Sequence, residues 1–294
     1  MKYSCMSFNI LGVDHAGNEL YLPSEIRAEY IAKYLHSIKT DIVGIQEAGA
    51  HHRLYDWMTN FSSMISDFNF YDVVKIGDEE AFVKTTTTFS DKKVPLSAGL
   101  MILYRKDKFE LIERGAHRYS STEKQERYFQ WVHLKDKSNG KDIFVTNTHW
   151  SINWDENGKV SKEAGAIHRT KQSNELREFW NNKVGNNVLF ATGDYNCFQN
   201  SEWIHLAEND IYKQVETATD KDWALGDHID NIFINPQVST VEDLRFLHDK
   251  IDISSVKARH ASMYFWCSSA NKDLKLQFER MSDHEPLLVT VETK

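Results

Sequence analysis

Cysteine is scarce: the chain holds three, Cys5, Cys197 and Cys267, far apart and without a C-x-x-C pair. That excludes a disulfide framework and a cysteine-built zinc site, and leaves the thiols as reduced, packed side chains. Proline is also rare, at 4 of 294 residues, and no Pro/Gly/Ser-rich linker divides the chain, so a single domain over residues 1–294 is expected. No internal repeat shows at periods of ~20–50 residues, and no apolar run approaches the ~18 residues of a membrane-spanning helix. The opening "YSCMSFNILGV" is too polar for a secretory leader, so a cytoplasmic location is expected unless a leader precedes this chain. A basic excess is missing too. Lys and Arg number 35 against 43 Asp and Glu, a net charge of −8, whereas nonspecific duplex binding calls for a basic face; no stable duplex DNA complex is expected.

What is present is apolar mass, 41% hydrophobic and 12% aromatic residues, enough for a substantial core. "KYSCMSFNIL" reads as a strand, and "SEIRAEYIAKYLHSIK" as a helix with Ala28, Ile31, Leu35 and Ile38 on one face and Ser24 as its N-cap. "DIVGIQE" follows as a short buried strand, which makes a βαβ-like beginning. Residues 76–97, polar and threonine-rich, read as a long surface excursion. Four consecutive strands come next, "AGLMILYR", "FELIERGAH", "RYFQWVHLKD" and "KDIFVTNTH", the last two joined by a "KSNG" turn. A second helix, "KEAGAIHRTKQSNELREFWNNK" with Leu176, Phe179 and Trp180 as its stripe, leads into the strand "NNVLFATGD". The remaining "HIDNIFINP", "TVEDLRFLHD", "ARHASMYFWC" and "HEPLLVTVE" are strand-rich. Helices alternating with strands at both ends of a run of hairpins predict two mixed sheets packed together, with helices outside.

The chemistry-bearing residues gather at strand ends. Asn9, Glu47, His149 and Asp194 with Asn196 each stand at the C-terminal end of an expected strand, where α/β sheets form ligand crevices. "DHIDN", with Asp227, His228 and Asp230, and "SDHEP", with Asp283 and His284, precede strands instead. If all six segments meet, the last two strands run antiparallel to the first four. Mg2+ takes oxygen ligands and is typically held by one or two carboxylates plus substrate phosphate. Glu47 with Asn9 beside it could supply that hold. A phosphate ester also needs an oriented water, a base, and donors for developing charge; Asp194, Asn196, His149 and His284 are the right types, and Asp230 behind His284 would fix its tautomer.

The segments "MSFNIL", "DIVGIQE", "FVTNTHW", "ATGDYN", "HIDNIFI" and "SDHEP" occur in the order in which the endonuclease/exonuclease/phosphatase superfamily carries its motifs. The sequence resembles that superfamily from about residue 3 to 292. The resemblance implies a four-layer α/β/β/α sandwich of two mixed sheets and a Mg2+-dependent (or Mn2+-dependent) phosphoesterase acting on a phosphodiester or phosphomonoester. It implies Glu47 as principal metal ligand with Asn9 adjacent and Asp283 near the metal. It also implies His149 at the scissile phosphate or leaving group, Asp194 and Asn196 orienting the attacking water, and Asp230 orienting an essential His284. Leu11 stands where abasic-site nucleases carry an aspartate, and His149 is a histidine they lack, so the similarity is to the deadenylase-like and sphingomyelinase-like branch. The expected partner is a nucleotide, lipid-headgroup or sugar phosphate ester. A nuclease on single-stranded ends, and a non-catalytic binding module on the same fold, are the alternatives.

Four further residues are candidates for substrate contact. Arg169 and Gln172, one turn apart on the second helix, would either reach substrate phosphate or buttress the site from behind. Trp150 and Tyr195, like Trp154 and Trp223, lie near the motifs and could stack on a base or sugar, or pack the rim.

Overall fold

The computed structural model describes residues 1–11, 24–48, 70–75, 87–89, 92–94, 99–123, 126–197, 213–214, 229–236, 238–247, 282 and 284–294. Its first strands are β1 (Lys2–Asn9), β2 (Ile42–Gln46), β3 (Tyr71–Lys75), β4 (Thr87–Phe89), β5 (Lys92–Val94), β6 (Met101–Arg105) and β7 (Phe109–Arg118). The remainder are β8 (Tyr128–Asp136), β9 (Asp142–His149), β10 (Val188–Asp194), β11 (Lys213–Gln214), β12 (Asp230–Ile234), β13 (Ser239–Phe246) and β14 (Leu287–Thr293). The helices among the described residues are α1 (Ser24–Ile38) and α2 (Lys162–Phe179), the latter prolonged by a π-type turn over Trp180–Val184.

Two six-stranded sheets form, in the orders β13-β14-β1-β2-β6-β3 and β11-β12-β10-β9-β8-β7, while β4 and β5 pair separately. Each large sheet centres on one parallel pair, β1/β2 joined through α1 and β9/β10 joined through α2. The flanking neighbours are antiparallel: β14 on β1, β6 on β2, β12 on β10 and β8 on β9. The two sheets therefore share one polarity pattern although no repeat is legible in the sequence, because the likeness lies in backbone hydrogen-bond order and not in side chains. The antiparallel pairing also sets the start of β12 beside the end of β10, with Asp230 opposite Asp194.

Strand alternation sorts the side chains into layers. Met6, Phe8, Val43 and Ile45 pack against Tyr30, Ile31 and Leu35 of α1. On the far side Phe144, Leu189, Ala191 and Phe233 pack against Leu176 and Trp180. Between the sheets lie Cys5, Ile42, Val132, Val145, Phe190, Ile232 and Val289. The order is helix, sheet, sheet, helix, as expected. Gly44 of β2 allows the sheets to approach closely, since a Cβ there would overlap the Thr192 hydroxyl and lie 2.9 Å from Asn147 Oδ1.

Differences from the sequence reading are local. β3, an edge strand antiparallel to β6, was not anticipated, because Asp72 and Lys75 interrupt its short apolar run. Residues 76–97 are not a uniform excursion but contain the β4–β5 pair. The Ser24 cap and "ARHASMYFWC" lie outside the described residues and side chains. Among the described residues no helix is long and apolar enough to cross a membrane.

Candidate active site

Alternation that begins in the core ends in the site. Tyr3 and Cys5 of β1 face the inter-sheet core and are followed on the same face by Ser7 and Asn9; Val188 and Phe190 of β10 are followed by Thr192 and Asp194. The penultimate residues of these rows form a polar layer between the sheets. Gln46 Nε2 donates to Asn147 Oδ1 (2.6 Å), Thr192 Oγ1 donates to the same oxygen (3.1 Å), and Asn147 Nδ2 donates to the carbonyls of Ile45 (2.8 Å) and Met101 (3.0 Å). The Gly193 N–H donates to Ser7 Oγ at 3.1 Å. This layer was missed at the level of sequence. Its signal was available, for Ser7, Asn147 and Thr192 each precede a site residue by two.

Asn9, Glu47, His149, Asp194, Asn196, Asp230 and His284 are brought together at that end. Asn9 Nδ2 donates to both Glu47 Oε1 (3.0 Å) and Asp194 Oδ2 (2.9 Å), and its Oδ1 accepts the Leu11 N–H (3.0 Å). His149 Nε2 and His284 Nε2 stand 3.6 and 3.9 Å from the same Asp194 Oδ2, beyond hydrogen-bond length. His284 Nδ1 lies 2.6 Å from Asp230 Oδ2, which fixes its proton on Nδ1 and turns Nε2 toward Asp194. Asp194 Oδ1 accepts the Asn196 N–H at 3.0 Å, and Asn196 Nδ2 donates to the Trp150 carbonyl at 3.1 Å. Ser282, also missed, donates to the Asn9 carbonyl (2.7 Å) and accepts the His284 N–H (3.2 Å), tying the approach to β14 onto β1. Its position two before a histidine is the local serine-turn signal. Asp283, Asp227 and His228 lie outside the described residues.

Of the four non-glycine residues at positive φ among the described residues, three stand here: Leu11 (56°), Glu47 (57°) and Asn196 (48°). For Glu47 the reason is directional. Val43 and Ile45 face α1 while Ile42, Gly44 and Gln46 face the second sheet, so a continued strand would aim residue 47 at the helix. The left-handed backbone brings its carboxylate round to Asn9. Such a conformation costs ~1–3 kcal/mol for a residue with a Cβ, and is held only where the surroundings impose it.

Burial governs the electrostatics. Asp194 is pushed up to about 7 by burial and then by the Asp230 carboxylate, against the pull of His284 and the Asn9 amide. His149 is pushed down to about 3 by burial and by the Arg127 guanidinium, which Glu123 holds at 2.7 Å. His149 Nδ1 and Asp230 Oδ1 are buried without a hydrogen-bond partner among the described residues. Ligand atoms of Glu47, His149 and Asp194 lie within 4.8 Å of one another, as do those of Asp194, Asp230 and His284. Crowded carboxylate oxygens, one of them unpartnered, are the donor chemistry of a hard divalent cation. Asn9, expected beside the metal, has its amide nitrogen spanning the two carboxylates and its oxygen accepting the Leu11 N–H.

The candidates for substrate contact are also corrected. Trp150 and Tyr195 are fully buried in the layer beneath α2, with Trp150 Nε1 donating to the Tyr119 hydroxyl and Tyr195 OH donating to the Ala191 carbonyl, so neither presents a face for stacking. Arg169 and Gln172 are buried and bond to Ser121, Ser151 and Asn153, which makes them buttresses. Trp154 is exposed and bridges to Val160; Trp223 lies outside the described residues.

The sequence profile of the endonuclease/exonuclease/phosphatase family matches residues 6–284. The chain belongs to that family. The family is one of phosphoester hydrolases, and its fold recurs in solved structures at low identity. The human Nocturnin catalytic domain with bound sulfate anion is 16% identical, with TM-score 0.67 over 100% of this chain and 95% of that one. A mannosyl-6-phosphatase of Bacteroides thetaiotaomicron is 18% identical, TM-score 0.64, over 99% of both chains. D. rerio TDP2 complexed with single-strand DNA product is 15% identical, TM-score 0.64, over 99% of both chains. No curated protein matches the sequence.

Proposed function

We propose that this member of the family is a divalent-metal-dependent phosphoesterase that cleaves a phosphodiester or phosphomonoester by attack of water. The observation that carries the reading is the convergence on one oxygen, Asp194 Oδ2, of Asn9 at 2.9 Å, His149 at 3.6 Å and His284 at 3.9 Å, with Glu47 tied in through Asn9. Glu47 would hold Mg2+ or Mn2+, which when bound supplies charge neutralisation at the phosphate. Asp194 orients the attacking water and takes its proton, as suits a carboxyl whose affinity for a proton lies near neutrality. The Asn196 backbone N–H sets the angle of that carboxylate, and its side-chain amide, held by the Trp150 carbonyl, faces a phosphate oxygen. His149, neutral at ordinary pH, and His284, oriented by Asp230, meet the phosphate or the leaving oxygen.

A second reading within the site, an exonuclease on single-stranded nucleic acid, is favoured by the likeness to TDP2, whose structure holds single-strand DNA product. The acidic net charge of −8 leans instead toward a small or membrane-derived ester. The test is a substrate panel of RNA oligonucleotide, sphingomyelin-type lipid, inositol phosphates, a sugar 6-phosphate and a chromogenic diester, with Mg2+, with Mn2+ and with EDTA. Turnover that EDTA abolishes is expected on one class. A panel with nothing above the Glu47→Ala protein would leave the binding-module reading in its place.

A further inference from the structure

Beyond the last rung of the β9/β10 ladder, where the Trp150 N–H donates to the Asp194 carbonyl at 2.9 Å, the chain turns away and Ser151 is left fully buried with no strand to pair it. All three of its polar groups are gripped by two side chains of α2. The Ser151 N–H donates to Gln172 Oε1 (3.1 Å), its Oγ accepts from Gln172 Nε2 (2.8 Å), and its carbonyl accepts from Arg169 Nη1 (2.9 Å). Residues 169 and 172 are three apart, so they share a helix face. Arg169 Nη2 also donates to Asn153 Oδ1 at 2.9 Å, and Gln172 Nε2 to the Ser121 carbonyl at 2.9 Å. Gly165 lets the helix come this near, for a Cβ there would lie 2.7 Å from the Ile152 carbonyl and 2.8 Å from Asn153.

The Ser151 N–H and the Trp150 carbonyl belong to one peptide unit, which is rigid and planar. Gln172 holds one edge of that plane and Asn196 holds the other, through Nδ2 on the Trp150 carbonyl. We propose that Gln172, supported by Arg169, is a positioning residue for Asn196, acting through the Trp150–Ser151 peptide plane. This rests on the role given above to Asn196. A tilt of the plane moves the acceptor that sets the Asn196 side-chain amide, and with it the group that faces the phosphate oxygen; a misplacement of about 1 Å can cost on the order of 100-fold in rate.

The experiment is a double-mutant cycle with full-length protein and the substrate found active in the panel. Gln172→Met, similar in size and without either polar group, should lower kcat about ten- to hundredfold with KM within a few-fold of wild type. Gln172→Glu, protonated in this buried position so that it keeps the acceptor for the Ser151 N–H and offers an O–H in place of Nε2, should recover most of that loss. In an Asn196→Ala background Gln172→Met should have no further effect on kcat, because the relay has lost its end. Losses that multiply in the double variant, or an equal loss in Gln172→Glu, would overturn the inference while leaving the phosphoesterase reading intact. A second readout needs no activity. In 15N-labelled protein the Asn196 side-chain amide pair, assigned by its loss in Asn196→Ala, should shift in Gln172→Met and stay near its wild-type position in Gln172→Glu; an unmoved pair in Gln172→Met contradicts the relay. Should Gln172→Met not fold, Arg169→Lys reads the same coupling, with a few-fold loss of kcat expected to vanish in the Asn196→Ala background. An inactive wild type whose amide pair still moves would sink the functional reading and spare the relay.

Discussion

Glu47 illustrates how one residue serves function against stability. Its φ of 57° and its position beside Asp194 oppose folding through both backbone strain and like charge. Glu47→Gly should therefore melt no lower than wild type in EDTA and lose activity altogether, the two effects read by thermal denaturation and by turnover. Asp194 adds a pH dependence of definite sign. A carboxyl raised from 3.8 to about 7 in the folded chain contributes stability that is present below 3.8 and lost as pH rises through 7. His149, lowered from 6.5 to about 3, works in the other direction, contributing stability above 6.5 that is lost as pH falls through 3. Melting curves of metal-free wild type and Asp194→Asn from pH 5 to 9 separate them, since both proteins keep His149. The variant should gain on wild type as pH rises from 5 to 7 and keep a level lead above 7, and a gap that is constant from pH 5 to 9 would show that Asp194 is ionised throughout.

At the scale of elements, the site depends on two sheets meeting at a fixed distance. Gly44→Ala drives a methyl into Thr192 and is expected to cost about 1–3 kcal/mol. Phe190→Ala, in the inter-sheet core on the same strand face as Asp194, is expected to cost about 3–5 kcal/mol. Urea titrations check both. Most of the described strands, the two described helices and their order were legible because apolar alternation and helical stripes are written in the residues themselves; β3 and the β4–β5 pair were not. The clustering of His149, Asp194 and His284 was legible from strand ends and from the family resemblance. Less legible was whatever depends on the path of the backbone after a strand stops. The turn at Glu47 that redirects its carboxylate, the amide of Asn9 lying between two acids, and the burial of Trp150 and Tyr195 under α2 are such cases. Arg169 reads as a phosphate ligand by residue type; only the approach of α2 to Ser151 shows its guanidinium buried and donating to the Ser151 carbonyl and to Asn153.

For the whole molecule, β1, β2, β9, β10, β12 and the approach to β14 each deliver a site residue, so the proposed metal binding would be linked to global stability. A cation that binds only the folded chain stabilises it by RT ln(1 + [L]/Kd), about 2.7 kcal/mol at a hundredfold excess over Kd. Mg2+ should raise the melting temperature of wild type, EDTA should reverse it, and Glu47→Gln should show little response. The most direct test of the account is kcat of Asp194→Asn at saturating Mg2+ and substrate, with folding verified by circular dichroism. The account predicts a loss of about 10²- to 10⁴-fold, the contribution of positioned proton transfer. A folded Asp194→Asn protein that turns over substrate at the wild-type rate would contradict it.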